Sequence, residues 1–494
     1  MFSSKAINRR QFLGLAGALV LSPSLPAWPR SRGILVNDVH SQLNPTRVSK
    51  IAYPQSMQGL QDLMLQARRD GKKISICGAR HAGGGQQFAS EAILVDTKQL
   101  NRVLHFDQAE GLLEVQSGIR WPELLSYLER AQEGSRRPWG IAQKQTGGDQ
   151  LTIGGALAAN VHGQGLTMKP FISNVEAFTL IDSNGHAHKV SRNSNPELFR
   201  CVIGGYGLFG IIHSVTLRLV PRLKVERIVE IMEIEDLIPK VEKCIAEGYP
   251  YGDFQVNIDN HSDSFLRNGV FSGYRLKEPE TPIPRPSGRL KDQAWFDFVY
   301  GAHVNKSETF ERYVEYYQAS SGLTNWSDVW QSGPYLQNYH QLIDRKMQAP
   351  HKGTEVLTEL YVPRERLCSF LSDVRADFLK NNVNLIYSTV RFFARDDESL
   401  LAWAKDSYAC VIFNLHTVHT HEGIEHSASA FRRLIDLAIK YGGSYYLTYH
   451  KFASRSQVSA CYPQFSQVLS LKRDLDPSEL IESDWYRHYK QLFS

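Results

Sequence analysis

No internal stretch of this sequence approaches the ~18 consecutive apolar residues of a membrane-spanning helix, so no stable membrane span is expected. Charge of one sign is equally scarce. Lys and Arg number 56 against 51 Asp and Glu, leaving +5 over 494 residues with no concentrated basic block. That distribution argues against a nucleic-acid partner. Cysteine is thin: Cys77, Cys201, Cys244, Cys368, Cys410 and Cys461 are far apart, without the close spacing of a zinc site or a redox C-x-x-C pair. Buried free thiols are the expectation, because a chain this long builds its core without disulfides. Internal repeats and low-complexity tracts are missing as well. What remains is an ordinary globular composition, 42% hydrophobic and 22% charged, long enough for two packed domains.

What is present in excess is glycine at two places. The first stretch, Cys77-Gly-Ala-Arg-His81-Ala-Gly-Gly-Gly-Gln86-Gln87, follows Lys73-Ile-Ser-Ile-Cys77, an alternating run that reads as a short strand. The second runs from Thr146 through Thr152-Ile153-Gly154-Gly155 to Val161-His162-Gly163. Glycine removes Cβ and permits positive φ, so backbone N–H groups can close around an anion such as a pyrophosphate. The small-residue segment Ile153–Val161 is suited to pack against a flat ligand. Each stretch carries one histidine, His81 and His162.

The start of the chain reads differently. Asn8-Arg-Arg-Gln-Phe-Leu13 resembles a twin-arginine export signal, followed by an apolar run to Leu21 and a Pro/Ser-rich stretch. Asn8 and Gly14 depart from the usual residues of that signal, and a Sec signal or lipid-facing anchor is the other reading. Residues 1–31 are therefore expected outside the fold, and the protein in the periplasm.

Along the chain, Ser56 caps an amphipathic helix reaching about Asp70, and short strands are expected at 92–96, 102–106 and 112–118. Ser183-Asn-Gly185 joins two strands as a hairpin. Gly205-Tyr-Gly207-Leu-Phe-Gly210 matches G-x-G-x-x-G, the dinucleotide fingerprint, but the strand-before, helix-after context is lacking. A β-branched run, Ile211–Val220, follows it instead. From Lys224 to about Lys440 aromatic and charged residues alternate through strands and long helices, with helices expected at 235–247 and 306–320 and a proline-rich surface loop at 279–287. The pattern is α+β.

Gly78-Ala-Arg-His81-Ala resembles the Gly-x-Gly-His-Ser flavin loop of the vanillyl-alcohol oxidase / p-cresol methylhydroxylase (PCMH-type) flavoprotein superfamily. Thr152-Ile-Gly-Gly155 through His162-Gly163 resembles its second FAD loop, as found in decaprenylphosphoryl-ribose oxidases and aldonolactone oxidoreductases; cytokinin dehydrogenases share the first. The likeness covers about residues 46–222 and, more loosely, the last fifty or so. It implies a two-subdomain FAD-binding domain over 44–222, a substrate or cap domain over 223–440 and a segment over 441–494 returning to the flavin. FAD contacts are implied for Cys77, Gly78, Ala79, Arg80, His81, Ala82, Gly83, Gln86, Gln87, Gly147, Thr152, Ile153, Gly154, Gly155, His162, Gly163, Gly210, Ile212 and Tyr446. His81 is either the covalent flavin ligand or a residue of the pyrophosphate loop. Gln150 stands where a second, cysteinyl link is often made, so double attachment is not expected.

The implied activity is transfer of a hydride from a CH–OH group of a sugar, sugar acid or lactone-like small molecule to flavin N5. Reoxidation would fall to dioxygen, a quinone or a redox protein, and Val161 is a candidate block against dioxygen. Such chemistry needs a proton acceptor and a positive group. Arg391, on a strand with Thr389 where alditol oxidases have a Glu-x-Arg pair, is the candidate cation. Tyr449, at the position of a lysine in the ribose-phosphate enzymes, and His450 are the candidate acid/base groups. His416-x-x-His419-x-His421 invites a metal reading, but period two sets His416 on the opposite strand face and no third ligand is spaced to complete a site, so no metal is expected and a polar wall of the substrate cavity is the other reading. Rival functions are an amine or phenol oxidoreductase and a non-catalytic flavin-binding protein.

Overall fold

Ser56 sets the first helix going: its side chain accepts from Gly59 N, and Met57–Arg69 then buries Leu60, Leu63, Met64 and Ala67 at helical spacing. In the computed structural model, which describes residues 33–284, 291–333, 336 and 338–494, that apolar stripe packs on a three-stranded parallel sheet. The twin-arginine-like segment and the Arg285–Ser287 end of the proline-rich loop lie outside the described residues. Strand Ile93–Asp96 sits at the sheet's centre between Lys50–Ala52 and Ile74–Cys77, and all four of its residues are buried. A strand covered on both faces reads as a continuous apolar run for this reason.

A five-stranded antiparallel sheet follows, in the order Ala187–Ser191, Val175–Ile181, Ile211–Arg218, Leu112–Gln116, Val103–Asp107. Its outer hairpin turns through Gly185 at φ +81°, as the Ser183-Asn-Gly185 signal demands. The G-x-G-x-x-G segment falls between helix Pro196–Val202 and strand Ile211–Arg218, so the helix that a Rossmann turn would open is a strand.

The largest sheet among the described residues is eight-stranded and antiparallel. Its order is Thr324–Trp326, Lys224–Glu233, Asn268–Lys277, Tyr251–Val256, Leu385–Phe392, Tyr408–Val418, Gly353–Pro363, Ser444–Tyr445. Helices Asp292–Val304, Lys306–Ala319 and Tyr339–Met347 belong to the same region. The tail ties the parts together. Ser444–Tyr445 adds an edge strand beside Gly353–Pro363, Ile481 bridges to Ile74, and Gln86 Nε2 donates to the carbonyls of Leu447 and Thr448 at 2.9 and 3.0 Å. All six cysteines are unpaired, five of them buried. The fold is α+β.

Candidate functional site

Where the first glycine loop, the second and the tail converge there is a cleft of about 200 Å³. Cys77, Gly78, Ala79, Arg80, His81, Ala82, Gln86, Gln87, Gly147, Thr152, Gly154, Gly155, Gly210, Ile212 and Tyr446 line it. Close approach explains the glycines. A Cβ on Gly78 would stand 2.1 Å from Thr152 Oγ1, and one on Gly154 2.7 Å from Ser117 Cβ. Thr152 is not free to retreat, since its hydroxyl caps helix Ile153–Ala159 by accepting from Gly155 N at 3.2 Å. Gly78→Ala is thus expected to part the two loops at a cost of about 1–3 kcal/mol and to lower cofactor occupancy of the purified protein, read as flavin absorbance against protein absorbance. Unchanged occupancy would refute that coupling of the loops.

Arg80 holds the place of the second glycine in the Gly-x-Gly-His pattern and adopts φ +62°, the left-handed region that glycine favours. Asp96 anchors it at 3.2 Å from its fully buried carboxylate. His81 Nδ1 lies 2.9 Å from His40 Nε2, and burial pulls the His81 pKa down to about 4. At neutral pH its imidazole is therefore uncharged and nucleophilic.

Four of the expected cofactor residues lie outside this wall. Gly83 faces the tail, where a Cβ would meet Tyr449 O at 2.7 Å, and Ile153 is fully buried in the core. Gly163 N donates to Gln143 Oε1 at 3.1 Å, away from the cleft. His162 turns inward: its Nε2 lies 2.8 Å from Glu359 Oε2, with Phe393 and Trp403 packed on its ring. Conversely, Ser117, Tyr206, Gly207 and Thr448 line the cleft without having been foreseen.

FAD fits the residues present. Arg80 Nε, Gln86 Oε1, Gln87 Oε1, Ser117 Oγ, Gln145 Oε1 and Thr146 Oγ1 belong to lining residues, are buried, and have no hydrogen-bond partner among the described residues. Gly147, at φ +75°, has nothing within 4 Å of where its Cβ would be. Bare backbone and unpaired donors and acceptors suit phosphates and an amide-rich ring.

A second cavity, of about 360 Å³, shares His40, Gln145, Thr146, Gly147, Leu357 and Tyr449 with the first. Eleven aromatic rings, Trp295, Phe298, Tyr313 and Trp330 among them, surround four charged residues, Arg227, Asp253, Glu355 and Arg391. Gln164 Nε2, Asp253 Oδ1, Gln255 Oε1, Trp330 Nε1, Ser388 Oγ, Asn414 Oδ1 and both Nε and one terminal nitrogen of Arg391 are buried there without a partner among the described residues. So many unsatisfied polar atoms in one cavity would be costly without a polar ligand.

Tyr449 stands at the junction. Its hydroxyl donates to Glu359 Oε1 at 2.8 Å, while Tyr361 donates to Oε2 at 3.0 Å. Burial alone would raise the Glu359 pKa, but His162, Tyr449 and Arg391 outweigh it and hold the carboxyl below its ordinary 4.5. Burial, then the Glu359 charge, pushes the Tyr449 phenol far up, so it keeps its proton. His450, expected beside Tyr449 as an alternative acid/base, lines neither cavity. It is stacked at 4.5 Å on Phe431 with Nε2 3.1 Å from Thr358 Oγ1, and burial drives its pKa down to about 3. The histidine triplet also differs from its strand reading. The strand stops at Val418, Thr420 caps the next helix and His421 opens it. None of the three histidines lines the second cavity.

A signal for Glu359 was present in the sequence. Glu355 and Glu359 interrupt a strand whose other residues are apolar apart from Thr354 and Thr358, and a charge in such a run must be paired or functional.

Comparison with known proteins agrees with this geometry. Residues 48–191 match the model of the FAD binding domain. L-gulono-1,4-lactone dehydrogenase of Mycobacterium tuberculosis is 21% identical over 443 residues, 89% of this chain and 95% of that protein. Decaprenylphosphoryl-beta-D-ribose oxidase of Mycolicibacterium smegmatis is 21% identical over 86% and 91% of the two chains. L-gulonolactone oxidase of Bos taurus is 25% identical over 174 residues, 35% of this chain and 38% of that enzyme. Residues 48–191 thus carry an FAD-binding domain, and the chain resembles the PCMH-type FAD-binding flavoproteins. It is an FAD-dependent oxidoreductase.

Proposed function

We propose that this is an exported, periplasmic FAD enzyme that oxidises a CH–OH group in a sugar, sugar acid or lactone-like substrate. The supporting observation is the second cavity, where stacking rings alternate with unpaired polar atoms and the wall joins the flavin cleft at Tyr449. Aromatic faces take the C–H faces of a sugar ring while the polar atoms take its hydroxyls. Residues 44–222 form the two-part flavin domain in this reading, 223–440 the cap, and 441–494 the returning tail. Bound FAD supplies the hydride acceptor. Arg391 orients the reacting oxygen, and Tyr449 accepts the hydroxyl proton while passing its own to Glu359. The excess of rings over charges supports a second reading, a phenolic or aromatic amine substrate. Such substrates would leave most of the unpaired polar atoms unmatched.

Anaerobic mixing of the purified protein with aldonolactones, sugars, sugar acids, phenols and amines tests this. Bleaching of the flavin band by a member of the first three groups is expected; bleaching by phenols or amines alone would reverse the assignment. His81 is the proposed covalent anchor. After acid precipitation, flavin should remain in the pellet of the wild type and leave it in His81→Ala. Release from the wild type would reduce His81 to a loop residue. Val161, buried in the cleft wall, is the proposed barrier to dioxygen, which leaves a quinone or redox protein as acceptor.

A further inference from the structure

Four residues before Glu359 the same strand carries a second buried carboxylate. Three imidazoles from three separate elements converge on Glu355. His303 Nε2, from helix Asp292–Val304, is 3.0 Å from its Oε1, and His416 Nδ1, from strand Tyr408–Val418, is 3.4 Å from the same oxygen. On the opposite side His340 Nδ1, from helix Tyr339–Met347, is 2.7 Å from Oε2. One ligating atom each from His303, Glu355 and His416 lies within 4.8 Å of the other two.

We propose that His303, Glu355 and His416 bind a divalent transition-metal ion of the zinc class, with His340 fixing the carboxylate from its other oxygen. Zinc bonds to imidazole nitrogen and carboxylate oxygen are about 2.0–2.2 Å long, which sets ligand atoms roughly 3.3 Å apart around a tetrahedron. The two separations at Oε1 bracket that value. Two histidines and one carboxylate form a three-ligand zinc set, and a hydrogen bond to the far oxygen is the usual outer support. Local packing is arranged for it. A Cβ on Gly353 would stand 2.3 Å from His416 Cε1, so only glycine there admits the ring. His303 and Glu355 are almost wholly buried, which makes the site selective for an ion that tolerates desolvation.

The position gives the ion a consequence. Glu355 belongs to the wall of the substrate cavity, and helix Asp292–Val304 supplies Trp295, Phe298, Val299 and Ala302 to the same wall. A metal here fastens that helix to the sheet beside the substrate. A purely hydrogen-bonded cluster is the competing account, and either arrangement leaves His303 Nδ1 and His340 Nε2 buried without a partner among the described residues.

Metal content decides between them. The flavin-loaded protein, stripped with a chelator and dialysed against Zn²⁺, should retain about one zinc per chain by elemental analysis. Absorption spectroscopy at the zinc edge should show only nitrogen and oxygen ligands at about 2.0 Å. His303→Gln and His416→Gln should each abolish stoichiometric retention, and His340→Gln should weaken binding roughly 10- to 100-fold. Flavin content and thermal midpoint report whether each variant is folded. No zinc retained by the wild type, a sulfur ligand at the edge, or retention unchanged in the folded His303 and His416 variants would overturn the proposal.

Discussion

Glu359→Gln should slow reduction of the flavin by substrate about 10²- to 10⁴-fold, the usual worth of a positioned general base, while substrate affinity changes little. The substitution keeps the shape but replaces one accepting oxygen with a donating amide and removes the charge that makes the site a proton acceptor. Tyr449 cannot take that part alone. Its phenol is held protonated by burial and by the neighbouring carboxylate, so any proton it receives must be matched by one it passes on. Glu359, 2.8 Å away and ionised, is the group that can receive it. Tyr449→Phe should therefore reproduce most of the kinetic loss. The double variant should be little worse than either single one, because members of one relay are not additive. The sign of the pH dependence follows from the lowered pKa. A base with a pKa below 4.5 is fully ionised at neutral pH and is lost only as pH falls through that value. The rate of flavin reduction should accordingly be flat from neutrality down to weakly acid pH and drop below it. Rapid-mixing measurements under anaerobic conditions supply both tests, and an unchanged reduction rate in folded Glu359→Gln would remove the residue from the chemistry.

The flavin cleft was largely legible because glycine loops are local. Positive φ at Gly147 and the exclusion of Cβ at Gly78 and Gly154 are written into consecutive residues, and the strand and turn that present them precede them directly. His162 lies off the cleft wall because loop membership does not say which way a side chain turns; the buried Glu359, 197 residues later, draws it inward. His450 lies off both cavities for a similar reason, being adjacent in sequence to Tyr449 but directed into a stack of aromatic rings. The carboxylate–histidine cluster was hidden by distance along the chain. Sequence spacing groups His416 with His419 and His421, and period two only sets it on the other face, whereas the sheet pairs Glu355 with His416 across strands, and helices bring His303 and His340 from elsewhere. Long-range pairing of this kind leaves only one trace in a single sequence, the charged residue within an apolar strand.

Arg391→Met should lower kcat/KM by about 30- to 4,000-fold, with Arg391→Lys in between. The lower and upper bounds correspond to the ~2–5 kcal/mol measured when one member of a desolvated charged contact is truncated, at 1.4 kcal/mol per tenfold. The argument rests on an imbalance within the protein. Arg391 is 7% exposed, yet two of its guanidinium nitrogens have no hydrogen-bond partner among the described residues. Such a group is tolerated when an incoming ligand satisfies it, because an unpaired buried cation otherwise costs several kcal/mol. Asp253 and Glu359 lie close enough to favour the charge, but neither forms a hydrogen bond with it in the structure. A lysine would retain the charge without the planar fork, which explains the intermediate value. Because removing a buried, unsatisfied cation relieves strain in the free protein, Arg391→Met should also raise the thermal midpoint when substrate is absent. Loss of activity together with gained stability would mark Arg391 as a ligand-binding group. Loss of both would instead make it a structural member of the strand Leu385–Phe392.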